Sequence, residues 1–338
     1  MGTPMLFVIS APRSGSTMLE RMLESHSMIL GGPEPHLLTP LAHLGLWANV
    51  DKAPYDHVLA AESQRLFVEK LPNKEHDYWE ACRAYCEVLY GRYLGTSSKQ
   101  ICLDKTPAYA LILPFIVRVF PDAKYIVLTR HPAALFASYA NSFFNGDYRA
   151  AHEYNPILHR YVPAIADFLR GNQPPHVHVR YEDLVHDPET WMTRIYEYIG
   201  VPFERDTIEY GSKERPEQDR QGLGDPTGVD KHVRPTTESV AKWVQDLASD
   251  SEKRSLMQDI ISRLDPDDLA VWGYPIERFW EPLENFGAAA PKPVRPGWST
   301  YRIQRTLIVG LRKTARRSGV FRAALRKVRL ACDVLLRE

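Results

Sequence analysis

Apolar and polar positions over the first 25 residues follow an order that predicts a strand, a tight turn and a helix. Residues 5–10 form an apolar run of strand length. The turn residues Pro12 and Gly15 come next. Beyond them apolar residues recur at helical spacing, at Met18, Leu19, Met22 and Leu23. A turn that leads into a helix presents free backbone N–H groups and the positive end of the helix dipole. We therefore expect an anion site here, most often used for phosphate, to which Arg13 adds a full positive charge.

The same pattern of a short apolar run followed by a helical stretch recurs along the chain. Further strands are predicted at 28–30, 101–103, 123–129 and 177–181, and helices at 108–120, 152–170 and 188–199. Strands that alternate with helices indicate an α/β fold. The sequence thus predicts a parallel sheet of about five strands, covered by helices on both faces.

Composition divides the chain into a main domain, residues 1–281, and a C-terminal extension. Within the domain, 57–94 is amphipathic and predicts a helical insertion facing the substrate, and the Gly/Pro-rich stretch 204–235 predicts a mobile loop over the site. Residues 282–300 are Pro-rich and predict a linker. Residues 301–338 contain 11 Arg or Lys against 2 Asp or Glu and predict a basic amphipathic helix. That helix suits an anionic membrane surface, an acidic carrier protein or packing on the domain itself.

Overall composition narrows the possible functions only slightly. The 338 residues carry 42 basic and 42 acidic side chains, which gives no indication of nucleic-acid binding. No apolar run reaches 18 residues, so no membrane-spanning helix is expected, and the first apolar run is too short for a signal peptide. Four scattered cysteines fit a reduced, cytoplasmic setting. Cys82 and Cys86 lie four residues apart on a predicted helix, which favours packing over metal binding, and no metal site is expected.

Charged residues follow several of the predicted strands. The turn at 12–17 lacks the Lys of the nucleoside-triphosphate motif G-x-x-x-x-G-K-[ST], so adenosine phosphates other than ATP become more plausible ligands. Arg130 follows the strand at 123–129, and Ser138 lies eight residues later on the next predicted helix. Such a pair can bind one phosphate group. Lys105 follows the strand at 101–103.

Three segments, in this order, resemble those of sulfotransferases that use 3′-phosphoadenosine 5′-phosphosulfate (PAPS). They are Pro12-Arg13-Ser14-Gly15-Ser16-Thr17, Tyr125 to Pro132 with Ser138, and Tyr181-Glu182-Asp183-Leu184 with Asp187-Pro188. The resemblance implies that the first segment holds the 5′-phosphosulfate, that Arg130 and Ser138 hold the 3′-phosphate, and that Tyr181 borders the adenine. It covers about residues 5–200, and Lys242-Trp243 and Trp272-Gly273-Tyr274-Pro275 extend it to about 276.

The resemblance also suggests the groups that perform the chemistry. Asp104-Lys105-Thr106-Pro107 resembles the segment with the third-strand Lys of the family, so Lys105 would stabilise the leaving oxygen; Pro107 stands where many small-molecule sulfotransferases have a His. The segment 32–38 is similar to tyrosylprotein sulfotransferases and most similar to polyketide-associated bacterial sulfotransferases. This makes Glu34 the first candidate for the general base. His36 is either a base or a helix-entry residue. His232 follows a Gly-Asp-Pro segment, as in the polyketide-associated enzymes but with a spacing that differs by one residue, and would assist the base or hold substrate.

The expected function is sulfuryl transfer from PAPS to the hydroxyl of a small-molecule, polyketide or natural-product acceptor, free or carrier-bound. Lys and Arg can supply the electrostatic stabilisation without a metal. Sulfation of a carbohydrate or of a peptide tyrosine is the alternative. A protein of another class, a non-catalytic binder of 3′-phosphoadenosine 5′-phosphate, also fits the motifs.

Overall fold

The computed structural model describes residues 2–32, 34, 37–42, 64–171, 174–212 and 232–286. Its strands are β1 (Met5–Ser10), β2 (Ile29–Leu30), β3 (Ile101–Asp104), β4 (Lys124–Thr129) and β5 (His176–Arg180). They form one parallel sheet in the order β2-β3-β1-β4-β5. The predicted α/β fold with a five-stranded parallel sheet is confirmed.

Helices connect and cover these strands. The α-helices are α1 (Ser16–Glu24), α2 (Leu38–Ala42), α3 (Glu75–Leu94), α4 (Leu113–Val119), α5 (Pro132–Phe144), α6 (Tyr148–Tyr154), α7 (Ile157–Arg170), α8 (Tyr181–His186), α9 (Pro188–Ile199), α10 (Lys242–Ser249), α11 (Ser251–Ser262), α12 (Pro266–Val271) and α13 (Glu281–Glu284). Short 3₁₀ helices lie at Pro107–Ile112, Arg205–Thr207, Tyr210–Ser212, Thr237–Ser239 and Ile276–Arg278.

The alternation of side chains on β1 divides the interior into two hydrophobic cores. Met5, Phe7 and Ile9 point to one face and pack with α3, α4, α5 and α7. Leu6 and Val8 point to the other face and pack with α1 and α9. All six residues of β1 are buried. A central strand buried on both faces reads as a continuous apolar run, which is why β1 was predictable from the sequence.

Beyond the strands, several predicted segments are only partly described. The insertion predicted at 57–94 contains α3, and residues 64–68 are also helical, whereas 43–63 lie outside the described residues. The same holds for 213–231 of the predicted loop and for 287–338, which contain most of the predicted linker and the whole basic helix. In the described part of the chain, no helix is both long and apolar enough to span a bilayer.

β1 is the middle strand of the sheet, and the strands that follow it in the chain lie on both sides of it. From β1 the chain passes to β2 and then β3 on one side of it, and then crosses to β4 and β5 on the other side. In open parallel sheets the carboxyl ends of the strands at such a point form the usual ligand-binding crevice. Here each strand is followed at this edge by a residue singled out from the sequence: Arg13, Glu34, Lys105, Arg130 and Tyr181.

Candidate active site

The loop between β1 and α1 has the backbone geometry that suits an anion-binding turn. Arg13 and Gly15 both have positive φ angles, 70° and 90°, and Gly15 directly precedes the helix. The first turn of α1 therefore begins at Ser16, whose N–H and that of Thr17 have no acceptor within the helix. The Oγ atoms of Ser10 and Ser14 are buried and have no hydrogen-bond partner among the described residues. Buried polar groups normally have partners, so these hydroxyls fit a site that receives a polar ligand.

A second corner, between β4 and α5, contacts this loop directly. Arg130 is 7% exposed, and its Nη1 donates to the carbonyl oxygen of Arg13 at 3.0 Å, while Nη2 donates to the carbonyl oxygen of Ser239 at 2.8 Å. The Nε of Arg13 donates to Oγ of the half-buried Ser138 at 3.3 Å. The two predicted phosphate-binding corners are therefore neighbours in space, although about 120 residues separate them in the chain.

Tyr181 lies between the two corners. Its ring centroid is 4.5 Å from Cζ of Arg130, close enough for a cation–π contact. A Cβ placed on Gly15 would lie 2.5 Å from Cδ2 of the same ring. The aromatic ring thus packs against the loop at a position where only glycine fits.

At the end of β3, Lys105 forms a buried cluster with two carboxyl groups. Its Nζ is 2.5 Å from Oε1 of Glu34 and 3.3 Å from Oε2 of Glu20 on α1. The side chains of Lys105, Glu20 and Glu34 are 1%, 4% and 11% exposed. Burial lowers the pKa of Lys105, but the two carboxylates outweigh it and raise that pKa above its usual range. Burial raises the pKa of Glu20 to about 8, although Lys105 acts in the opposite direction.

A hydrogen-bond network behind Lys105 connects β3 with the segment that carries Glu34. The buried carboxylate of Asp104 accepts hydrogen bonds from Tyr90 at 2.5 Å, from Tyr109 at 3.0 Å and from Thr106 at 3.2 Å. The backbone N–H of Leu38, at the start of α2, donates to the hydroxyl of Tyr109 at 3.0 Å. Burial raises the pKa of Asp104 to about 6, while its three hydrogen bonds act against that shift. The network fixes the strand end just before Lys105 and the chain just after Glu34.

The two histidines predicted as active-site residues are not part of the described cluster around Lys105. His36 lies outside the described residues. The ring of His232 lies 4.0 Å from Oε2 of Glu238, and within the described ranges it has no contact with Lys105 or Glu34. Their roles stay predictions.

Three residues of the site were not assigned from the sequence: Glu20, Asp104 and Tyr161. Tyr161 is buried on α7; burial, together with the nearby Glu34 carboxylate, raises its pKa to about 12 against the opposing effect of Arg160. Asp104 directly precedes Lys105 at a strand end, which is a usable signal. Glu20 lies between Leu19 and the apolar pair Met22 and Leu23 on α1. A glutamate among apolar positions of a helix is the sequence signal that could have pointed to a buried, functional carboxyl group at this position.

In the described part of the chain no group of three or more His, Cys, Asp or Glu side chains could hold a metal ion. Among the described residues, Arg13, Arg130 and Lys105 provide positive charge at the strand ends. A parallel sheet with a loop of this geometry, a buried arginine at the neighbouring corner and a lysine–carboxylate pair at its strand ends defines an α/β protein suited to a phosphorylated ligand.

The comparison with protein families agrees with this geometry. Residues 4–205 match the family described as the sulfotransferase family. The match covers more than half of the chain, and the chain belongs to the sulfotransferase family.

Curated relatives are distant and longer. The nodulation protein NoeE of Sinorhizobium fredii is 28% identical over 230 residues, 66% of this chain and 51% of NoeE. The protein-tyrosine sulfotransferase of Drosophila melanogaster is 22% identical over 264 residues, 73% of this chain and 48% of that protein. The chain thus spans about half the length of these two relatives.

Two solved structures show the same fold. The sulfotransferase domain of the curacin biosynthetic pathway has a TM-score of 0.50 at 24% identity and covers 78% of this chain and 99% of that domain. The sulfotransferase domain of the Synechococcus PCC 7002 olefin synthase has a TM-score of 0.52 at 24% identity and covers 81% of this chain and 95% of that domain.

Proposed function

We propose that this protein transfers the sulfuryl group of PAPS to a hydroxyl group of an organic acceptor. The observation that carries the proposal is the 2.5 Å contact between Lys105 and Glu34 at the strand ends that also carry the anion-binding loop. It brings together a cation for a leaving oxygen and a carboxylate for an acceptor proton. Membership of the sulfotransferase family supports the same reaction.

The two corners would hold the two ends of the nucleotide. The loop Arg13, Ser14, Gly15, Ser16 and Thr17 offers backbone N–H groups and hydroxyls to the 5′-phosphosulfate. Arg130 and Ser138 would bind the 3′-phosphate, and Tyr181, packed on both corners, would border the adenine. Three buried groups without a partner among the described residues, Ser10 Oγ, Ser14 Oγ and Arg130 Nε, fit such a polyanionic ligand.

The chain's own residues would perform the remaining steps. PAPS supplies an activated sulfuryl group, and in-line transfer depends mainly on positioning and electrostatic stabilisation. Glu34 would take the proton from the acceptor hydroxyl as the new S–O bond forms. Lys105 and Arg13 would stabilise the negative charge that develops on the departing phosphate oxygen. His232 or His36 would assist the base or orient the acceptor.

The favoured acceptor is a small natural-product or polyketide hydroxyl, free or held on a carrier protein. This choice rests on residues 32–38 and on the two structural neighbours, which are sulfotransferase domains of the curacin biosynthetic pathway and of an olefin synthase. The relatives named as protein-tyrosine sulfotransferases keep peptide tyrosine as the alternative, with carbohydrates beside it. The basic segment 301–338, outside the described residues, would contact a carrier protein or an anionic surface.

A transfer assay with ³⁵S-labelled PAPS tests the proposal. The acceptors are β-hydroxyacyl chains, free and carrier-bound, natural-product alcohols and phenols, sugars and tyrosine peptides. We expect transfer to one class, and a loss of at least about 100-fold in Glu34→Gln and Lys105→Ala. Affinity for 3′-phosphoadenosine 5′-phosphate, measured by calorimetry, should stay within about threefold in both variants.

The matched control is Lys253→Ala, which removes another paired lysine, 2.6 Å from Asp246 and on α11, away from the strand ends. It should leave transfer intact. Arg130→Ala should weaken nucleotide binding by at least about tenfold. Nucleotide binding without transfer to any acceptor would instead identify a non-catalytic binding protein, and full activity of Glu34→Gln would remove Glu34 from the mechanism.

A further inference from the structure

Glu20 is a buried carboxyl group that the proposed reaction leaves without a role. It lies on α1, one turn after the anion-binding loop, and only 4% of its side chain is exposed. Its Oε2 faces Nζ of Lys105 at 3.3 Å, whereas Oε1 is buried and has no hydrogen-bond partner among the described residues. A carboxyl group is costly to bury, so its presence on an otherwise apolar surface of α1 calls for a partner, and Lys105 is the partner it has.

Lys105 is held from two sides by Glu34 and Glu20. An ammonium group carries three N–H donors. One is directed at Glu34 and a second faces Glu20; within the described ranges no other acceptor lies at hydrogen-bond distance from Nζ. The third donor is thus available to a substrate oxygen. A lysine held by Glu34 alone would follow that side chain whenever it turned toward the acceptor hydroxyl.

We propose that Glu20 is a positioning residue, whose buried carboxyl keeps the ammonium of Lys105 in place while Glu34 exchanges its contact with Lys105 for the acceptor proton. This inference rests on the proposed sulfuryl transfer. Glu34 is on a loop and is 11% exposed, whereas Glu20 is fixed on a packed helix, so Glu20 is the less mobile of the two partners. Burial raises the pKa of Glu20 to about 8 although Lys105 acts against that shift, as expected for a carboxyl group enclosed by the packing of α1.

The test compares Glu20→Met with Glu20→Gln. Met has similar length but no oxygen, whereas Gln keeps a carbonyl oxygen that can face Lys105. We expect Glu20→Met to lose at least about tenfold in kcat while the KM for PAPS stays within about twofold. Its melting temperature should stay close to that of the wild type, because Lys105 keeps Glu34 as an ion-pair partner and Met leaves no polar group at position 20. Glu20→Gln should recover kcat to within about threefold of the wild type.

Asp268→Asn is the matched control, because Asp268 is a buried carboxylate paired with Arg170 on a different part of the fold. It should leave kcat unchanged. A kcat loss in Glu20→Met that merely follows a lower melting temperature, or Glu20→Gln and Glu20→Met that are equally impaired, would overturn the positioning role. Glu20→Leu provides the same comparison if Glu20→Met does not fold.

A measurement without any nucleotide separates this inference from the proposed function. The ammonium of Lys105 can be observed by NMR in protein labelled with ¹⁵N-lysine and assigned by its loss in Lys105→Arg. We expect the signal to be broadened or lost in Glu20→Met and retained in Glu20→Gln. An unchanged signal in Glu20→Met contradicts the positioning role even if sulfuryl transfer is established, and absence of transfer in the wild type contradicts the proposed function whatever the NMR result.

Discussion

Among individual residues, Gly15 shows most directly how the sequence determines the loop. It has a φ angle of 90°, and the ring of Tyr181 occupies the space that a Cβ would need, with Cδ2 at 2.5 Å. Gly200, after α9, has nearly the same φ angle of 91°, but nothing lies within 4 Å of its Cβ position. The two glycines therefore share the backbone requirement and differ only in the steric one.

Replacing each of these glycines by alanine separates the two effects. We expect Gly200→Ala to lower the free energy of unfolding by about 1 kcal/mol through backbone strain alone. Gly15→Ala should lower it by about 3 kcal/mol, because overpacking against Tyr181 adds to the strain. Urea denaturation measures both values. Equal losses in the two variants would show that the Tyr181 ring yields to the added methyl group.

The residues of the candidate site differ in how far the sequence revealed them. Lys105, Arg130 and Glu34 follow predicted strands, and parallel strands place their carboxyl ends at one edge, so their proximity could be anticipated. Glu20 could not be assigned in this way, because a charged residue on a helix is normally solvent-exposed. Its burial depends on the packing of α1 against the sheet and on the approach of Lys105, which lies far from Glu20 in the sequence.

The strands that were predicted most accurately from the sequence are those that are long and buried over almost their whole length. β1 and β4 were located to within one residue, because each is a six-residue strand with almost every position buried. The helix predicted at 152–170 is two helices, α6 and α7, separated by Asn155 and Pro156. Proline disfavours helical conformation in the residue before it, so the break has a local cause that helical periodicity alone does not register.

The contact of α3 with β3 depends on a polar connection in an otherwise apolar interface. The hydroxyl of Tyr90 on α3 donates to the buried carboxylate of Asp104 at the end of β3. Cys82 and Cys86, also buried, lie on the same side of the helix. Tyr85 lies outside this buried stripe of the helix and is 52% exposed.

We expect Tyr90→Phe to lower the free energy of unfolding by about 1–3 kcal/mol, because a buried carboxylate loses a donor. Tyr85→Phe removes the same hydroxyl from the exposed side and should change that free energy by less than about 0.5 kcal/mol. Chemical denaturation of the two variants at pH 7 measures the difference. A Tyr90→Phe protein as stable as Tyr85→Phe would show that Tyr109 and Thr106 satisfy Asp104 on their own.

In the molecule as a whole, His131 links the central sheet to the C-terminal part of the described fold. It directly follows Arg130, and its ring stacks on Trp243 with centroids 4.4 Å apart and packs against Tyr274 and Phe279. Its Nε2 lies 3.1 Å from the carbonyl oxygen of Phe279. The neutral ring donates this hydrogen bond when its proton is on Nε2. Burial, against the effect of that hydrogen bond, lowers the pKa of His131 to about 3.

Because His131 is buried, we expect it to lower the stability of the protein in acid. The sign follows from the pKa of His131 in the folded protein and in the unfolded chain. An unfolded chain protonates histidine near pH 6.5, whereas the folded protein keeps His131 neutral down to about pH 3, so the unfolded state gains protons first as the pH falls. Between pH 7 and pH 5 this linkage costs the native state about 2 kcal/mol. His178, whose pKa burial lowers to about 4, acts in the same direction, and Asp104 and Glu20, with raised pKa values, act in the opposite one. The quantity to measure is therefore the stability of His131→Gln relative to the wild type at each pH.

We expect His131→Gln to be less stable than the wild type at pH 7, since it loses the stacking on Trp243, and its deficit to shrink by about 2 kcal/mol at pH 5, because the unfolded variant has no proton to gain at this position. Trp243→Leu removes the stacking partner but no titratable group, so its deficit should be the same at both pH values. Urea denaturation of the three proteins at pH 7 and pH 5 gives these differences. A deficit of His131→Gln that does not change with pH would mean that His131 takes up its proton in the folded protein as readily as in the unfolded chain. The ring would then have to be accessible to water, and the connection between the sheet and the C-terminal helices looser than the packing around His131 indicates.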